Sequence, residues 1–406
     1  MRHEKDAGLG LVETRTVRVC EDGLELECGG RLDSVSVAYE QYGALNAARD
    51  NVVLVCHALS GGAHAAGWHP AATRPGWWDA AIGPGKAFDT DRFCIICSNV
   101  LGSCYGTPGP SSVQPATGRA YGTRFPLVTI GDMVMVQKAL LDALGVGRLL
   151  AVAGGSMGGM QALQWAASYP TRVRSVIALA TTTRHSAQQI AFNEIARRSV
   201  TTDPNWRGGD YHDGNGPRDG LAVARMLGHV TYLSDGSMQR RFGRRRCEPS
   251  GGRLDSAFEV GRYLDHQGRS FVERFDARAF VLLTRAIDLF DLERDGRSLA
   301  ETFGATDAAF LLLTFSSDWL YPPPQLERVA EAAREIGKRV SYHEIASDSG
   351  HDAFLLEHEA QAPIIRDFLR QLHDARPVLR QTQSRPGRGR GAPRPQSRDA
   401  SVRAGG

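Results

Sequence analysis

The chain has 406 residues, a formal net charge of +3 and 42% hydrophobic residues, enough for a sizeable core, which excludes a wholly disordered chain or a small disulfide-stapled scaffold. Its 45 glycines exceed the usual level of about 7%. The basic balance is local: residues 376–406 hold eight arginines and one acid, Asp399, which leaves the first 375 residues at −4, so the body gives no electrostatic reason to expect a nucleic-acid partner.

The charged start, Met1-Arg2-His3-Glu4-Lys5-Asp6, leads into no apolar stretch long enough for a signal peptide, and no window reaches the length of a membrane span. Seven scattered cysteines, an odd number, fit reduced thiols and a cytoplasmic setting better than a disulfide framework. Cys94 and Cys97 form a CxxC, but the run 93–97 reads as a buried strand and no second pair stands at zinc spacing, so no metal is expected.

In chain order, residues 14–19, 24–27 and 35–39 read as a short antiparallel lead into a sheet. Short, β-branched apolar runs at 52–56, 93–97, 149–153, 173–179, 310–315 and 339–345 then alternate with helical stretches at 132–144, 157–168 and 325–336. That rhythm predicts an α/β fold, a mostly parallel sheet with helices on both faces. It breaks after residue 185, where helical pieces at 190–199 and 220–227 and an Arg/Gly-rich stretch at 239–252 precede the next strand. An unstructured loop of that length is improbable, so residues 186–297 are expected to form a helical lid inserted into a core made of 12–185 and 298–373. A helix over 363–373 closes the fold, and the Arg/Gly/Pro-rich residues 374–406 read as a disordered tail.

Gly154-Gly155-Ser156-Met157-Gly158 satisfies GxSxG between a predicted strand and a predicted helix. A sharp strand-to-helix turn would expose Ser156 Oγ at the sheet's edge, and glycines 154 and 158 lack the Cβ atoms that would collide across it. A serine nucleophile needs a base and the base an orienter, in the chain order Ser, acid, His. His351 follows the last predicted strand, and Asp318 lies just past another; Asp348 and Asp352 are nearer His351 in sequence but share its loop. The oxyanion donors are expected at the amides of Met157, after the nucleophile, and Leu59, in the loop after strand 52–56. A triad of this kind serves acyl transfer or hydrolysis equally, and a non-catalytic interaction protein is disfavoured by the presence of all three residues.

Beyond these residues the sequence resembles the homoserine O-acyltransferase family of the α/β-hydrolase superfamily, over residues 12–372. The resemblance is carried by Pro75-Gly76-Trp77-Trp78-Asp79, Gly83-Pro84-Gly85-Lys86, the loops from Cys97 to Gly102 and Gly106 to Ser111, the elbow itself, Ala191-Phe192-Asn193-Glu194, the run from Ala224 to Ser234, Arg274-Phe275-Asp276, Ser317-Asp318-Trp319-Leu320 and the run from Gly350 to Glu357. It implies an α/β-hydrolase fold with Ser156 as nucleophile, His351 as base and acid, and Asp318 as orienter. It further implies acetyl-CoA as co-substrate with no bound cofactor, L-homoserine as acceptor, and a homodimer. Arg225 and Asp352 match the positions that grip the amino acid's carboxylate and ammonium, a complementary pair suited to a zwitterion. Leu320 resembles the acetyl-transferring members, whereas succinyl-transferring relatives tend to carry arginine there. Gly62, where aspartate is common, and Ser103-Cys104-Tyr105 depart from the pattern and leave open a shift of acceptor towards serine. A succinyl donor and small-ester hydrolysis also stay open on these residues.

Overall fold

The computed structural model describes residues 8–115, 117–211, 215–248 and 257–374. Its main sheet has eight strands: β1 (Arg15–Val19), β2 (Val35–Tyr42), β3 (Val52–Cys56), β4 (Cys94–Ser98), β5 (Ala151–Gly155), β6 (Ser175–Leu179), β7 (Ala309–Phe315) and β8 (Val340–Ile345). Their order is β1-β2-β4-β3-β5-β6-β7-β8. The pairs β1–β2 and β2–β4 are antiparallel and every other neighbour is parallel. Strands β3 to β7 are buried at every position, as the near-continuous apolar runs require of a sheet covered on both faces.

Helices α1 (Ile130–Ala143), α2 (Met157–Ser168) and α9 (Pro324–Glu335) cover one face, through Met133, Leu140, Leu163, Trp165 and Val329. The other is covered by α10 (His358–Asp374), through Ile365, Phe368 and Leu369, together with Trp78 and Phe88 from the long loop between β3 and β4. Cys94 packs into the first core cluster and Cys97 into the second; a strand sends residues three apart to opposite faces, so the CxxC thiols cannot share one ion. The antiparallel lead is real for β1 and β2, but Leu24–Glu25 pairs instead with Arg31–Leu32 in a separate small hairpin.

Between β6 and β7 the chain passes through α3 (Ala187–Thr201), α4 (Arg218–Tyr232), α5 (Asp235–Arg241), α6 (Glu259–Val272) and α7 (Ala277–Leu289), with a short α8 (Leu299–Phe303) before β7. The insertion is thus helical. Helix α3 starts at a capping box, Ser186 Oγ accepting from Gln189 and the Gln189 side chain reaching back to the Ser186 amide, the local pattern that fixes a helix start. Residues 375–406, where the basic tail is expected, lie outside the described residues. No helix among the described residues is long and apolar enough to cross a membrane.

Candidate active site

Strand β5 turns into α2 at Ser156, whose φ of 56° and ψ of −126° are a conformation that costs an L-residue about 1–3 kcal/mol and persists only where the surroundings impose it. They do so here. The Ser156 amide donates to the Leu179 carbonyl at 3.0 Å, and Thr181 Oγ1 donates to the Ser156 carbonyl at 2.7 Å. A Cβ on Gly154 would stand 2.5 Å from the Gly158 carbonyl carbon, and one on Gly158 would stand 2.1 Å from the Cys56 carbonyl oxygen. The second contact adds to the sequence reading: Gly158 is small so that the elbow can press against the end of β3, where the Leu59 loop begins.

His351 sits in a single 3-10 turn, Gly350–Asp352, after β8. Its Nδ1 meets Asp318 Oδ2 at 2.8 Å, both side chains buried. Asp318 Oδ1 accepts the amides of Leu320 at 3.0 Å and Tyr321 at 2.8 Å, so the carboxylate is held from both sides, and Nδ1–H of His351 is the proton that faces it. Asp348 is engaged by Arg240 instead. Gly350 adopts φ +73°, and a Cβ there would lie 2.5 Å from backbone atoms of Tyr232 and Ser234; the histidine loop thereby presses on the end of α4.

Ser156, Leu59, Leu320 and Arg225 line one cavity. Met157 opens α2, where an amide has no partner within the helix. The Leu59 loop is rigid from beneath: His57 Nδ1–H donates to the Ala58 carbonyl at 2.8 Å and Nε2 accepts the Val100 amide at 3.1 Å. Burial pulls that imidazole down to about 4, so it stays neutral and can accept.

Arg225, on α4, stacks its guanidinium over Phe271 at 4.9 Å and over Tyr232 at 5.6 Å. Burial raises the Asp352 carboxyl above its ordinary value, opposed by the charges of His351 and Arg225. No ion pair joins Arg225 and Asp352 among the described residues, although each lies in the other's field. Two opposite charges left apart within reach of each other's field can hold the two ends of a zwitterion.

Residues with no local motif complete the site. Tyr321 Oη lies 2.7 Å from His185 Nε2, His185 Nδ1 lies 2.9 Å from Asp288 Oδ1, and Tyr321 and His185 line the cavity with Ser156. At the rim Arg274 donates to the Ser60 carbonyl and the Tyr105 hydroxyl, each at 3.2 Å. Away from the cavity, Glu40, His64 and His69 are of metal-ligating types. The two imidazoles stack at 3.8 Å and 26°, and the Glu40 carboxylate is already occupied, accepting from both rings, Thr14 and Tyr42.

Residues 51–358 match the family model described as alpha/beta hydrolase fold. A homoserine O-acetyltransferase of Geobacter sulfurreducens is 52% identical over 364 residues, 89% of this chain and 98% of that protein. The crystal structure of homoserine O-acetyltransferase from Bacillus anthracis superposes with a TM-score of 0.83 at 29% identity, covering 88% of this chain and 98% of that one. Esterase E22 superposes with a TM-score of 0.81 at 32% identity, covering 88% and 100%. The elbow serine, the Asp318–His351 pair and the inserted helices thus sit in a chain that belongs to the homoserine O-acetyltransferase family of the α/β-hydrolase fold.

Proposed function

We propose that the protein moves the acetyl group of acetyl-CoA to the γ-hydroxyl of L-homoserine, giving O-acetyl-L-homoserine. The observation that carries this reading is an elbow serine that shares one cavity with Arg225, a cation that makes no ion pair with the nearby Asp352 among the described residues. The activity for which the Geobacter and Bacillus relatives are named agrees with it.

In the first half-reaction Ser156 Oγ attacks the thioester carbonyl while His351 Nε2 takes its proton. The oxyanion is received by the amides of Met157 and Leu59, and the CoA sulfur leaves with the proton returned by His351. In the second, His351 removes the proton of the homoserine hydroxyl, whose oxygen attacks the acetyl-serine; the ester leaves and Ser156 recovers its proton. Asp318 holds the imidazole tautomer throughout. Arg225 receives the amino acid's carboxylate and Asp352 its ammonium, so the acceptor arrives oriented and competes with water by position. The apolar Leu320 side chain leaves the donor's methyl group without a charged partner, which suits acetyl over succinyl. Residues 186–297 act as the lid that narrows access. A homodimer in the cytoplasm belongs to this reading, on the strength of the family resemblance.

The test is product analysis with acetyl-CoA or succinyl-CoA offered with homoserine or serine. Acetyl transfer to homoserine, lost in Ser156→Ala, is expected. Hydrolysis of acetyl-CoA at a rate indifferent to homoserine would favour the esterase reading that the likeness to esterase E22 keeps in view.

A further inference from the structure

The loop that carries His351 is stitched down by serine hydroxyls. Ser316 Oγ donates to the Ser347 carbonyl at 3.0 Å and accepts the Ser347 amide at 3.1 Å, and Ser317 Oγ accepts the Gly350 amide at 2.9 Å. Ser316 and Ser317 lead into Asp318, so these bonds join the orienter's loop to the base's loop. A second set of ties ends on one atom: Glu357 Oε1 accepts from Ser347 Oγ at 2.6 Å and from Ser349 Oγ at 2.9 Å. Two O–H donors on one oxygen suit a carboxylate, which can only accept. Ser347 therefore gives its proton to Glu357 and keeps its lone pairs for the Ser349 amide, 3.0 Å away. Ser349 is held in this way at φ −77° and ψ −5°, and the 3-10 turn of His351 starts from it.

We propose that Glu357 is a positioning residue: by holding Ser347 and Ser349 it fixes the backbone from which His351 projects, and so the approach of the imidazole to Ser156. Asp318 sets the tautomer and rotation of the ring through Nδ1; Glu357 sets where the chain carries that ring. Its own place is fixed, since the Glu357 amide donates to the Ala353 carbonyl at 2.8 Å and Gln361 Nε2 donates to the Ala353 and Glu357 carbonyls at 3.1 and 3.0 Å. Between His351 and Glu357, Phe354 touches both reacting partners. Its ring centroid lies 5.5 Å from that of His351, and a Cβ on Gly155, beside the nucleophile, would collide with it. The inserted helices add a weaker tie, Ser234 Oγ to the Asp348 carbonyl and Arg240 to its carboxylate; the ion pair is exposed and contributes little. Glu357 exchanges no proton and makes no covalent bond.

The inference rests on Ser156 and His351 being nucleophile and base, whichever acyl group and acceptor they serve. Its test is the rate and the final stoichiometry with which a small alkyl fluorophosphonate labels the full-length protein. Stoichiometry counts folded sites, and the rate per site reports how His351 meets Ser156. Glu357→Leu removes the acceptor and is expected to lower the rate per site about 10-fold or more, within the roughly 100-fold that a 1 Å misplacement of reacting groups costs. Glu357→Gln keeps an oxygen for the two hydroxyls and is expected to stay within about three-fold of wild type. Ser347→Ala combined with Ser349→Ala removes the donors instead. It should reproduce the Glu357→Leu rate, and adding Glu357→Leu to it should slow labelling little further, since all three changes act through one contact. A merely structural role would lower the stoichiometry and leave the rate per site intact, which would overturn the inference, as would a Glu357→Gln protein no faster than Glu357→Leu. Label persisting in Ser156→Ala would sink the nucleophile reading and this inference with it. Label confined to Ser156 at the wild-type rate in Glu357→Leu would overturn this inference alone.

Discussion

Gly158→Ala adds a single methyl group where the elbow presses on the backbone that leads into the oxyanion loop. Its Cβ would stand 2.1 Å from the Cys56 carbonyl oxygen, 2.9 Å from the Cys56 carbonyl carbon and 3.3 Å from the His57 carbonyl oxygen. Backbone cannot swing aside as a flexible side-chain tip does, so relief requires α2 and the end of β3 to part by more than about 1 Å, the gap between that contact and ordinary van der Waals separation. Overpacking of this kind costs about 1–3 kcal/mol of stability. The same separation moves Ser156 Oγ relative to the Leu59 amide, and a misplacement of about 1 Å at reacting groups costs roughly 100-fold in rate. The expected result is a folded variant with a lowered urea midpoint and an acetyl-transfer kcat reduced on the order of 100-fold, with KM for homoserine little changed because Arg225 and Asp352 lie elsewhere. Circular dichroism and steady-state kinetics on one preparation measure both. Wild-type turnover with an unchanged midpoint would refute the close-approach argument, and a rise in KM alone would assign the defect to the acceptor site.

Asp318→Asn leaves the size of the orienting group unchanged but frees the His351 tautomer, and kcat is expected to fall about 10⁴-fold with substrate affinities preserved. Arg225→Met is expected to raise KM for homoserine roughly 30-fold or more while leaving the rate of acetyl-enzyme formation within a few-fold, which single-turnover release of thiol would reveal. His57, pulled down to about 4 by burial, stays unprotonated in the folded protein while the unfolded chain takes a proton near its ordinary value of 6.5. Stability therefore falls as pH drops from about 6.5 towards 4, by roughly 3 kcal/mol for this group, and is constant with respect to it above that window. The difference in urea midpoint between wild type and His57→Gln should narrow across that interval; a constant difference would show that His57 is already protonated.

The parts of the fold visible in the sequence are those fixed by local patterns. Strands β3 to β7 show as short apolar runs because they are covered on both faces, and α2 begins at Met157 because the glycines around Ser156 leave no other turn there. Asp318 and His351 are recognisable from their positions after β7 and β8, where a parallel sheet delivers loops to one edge. The pairing of Leu24–Glu25 is not, since both candidate partners are adequate strands and the hairpin with Arg31–Leu32 wins by proximity. Helices α6 and α7 are hard to see in the sequence because they follow an Arg/Gly-rich stretch whose composition resembles a loop. Tyr321, His185 and Asp288 are hidden for a different reason: each is ordinary where it stands, and only packing of the insertion against the β7 loop brings them within hydrogen-bond distance.

The central claim is a covalent acetyl-serine shared by two half-reactions. Rapid quenching of the full-length protein after mixing with acetyl-CoA, without homoserine, followed by peptide mass spectrometry, tests it most directly. One acetyl group on the peptide containing Ser156 is expected, together with stoichiometric free thiol, and addition of homoserine should remove the label and release an equal amount of O-acetyl-homoserine. An acetyl group on another residue, or product formed at full rate with no labelled serine, would contradict it.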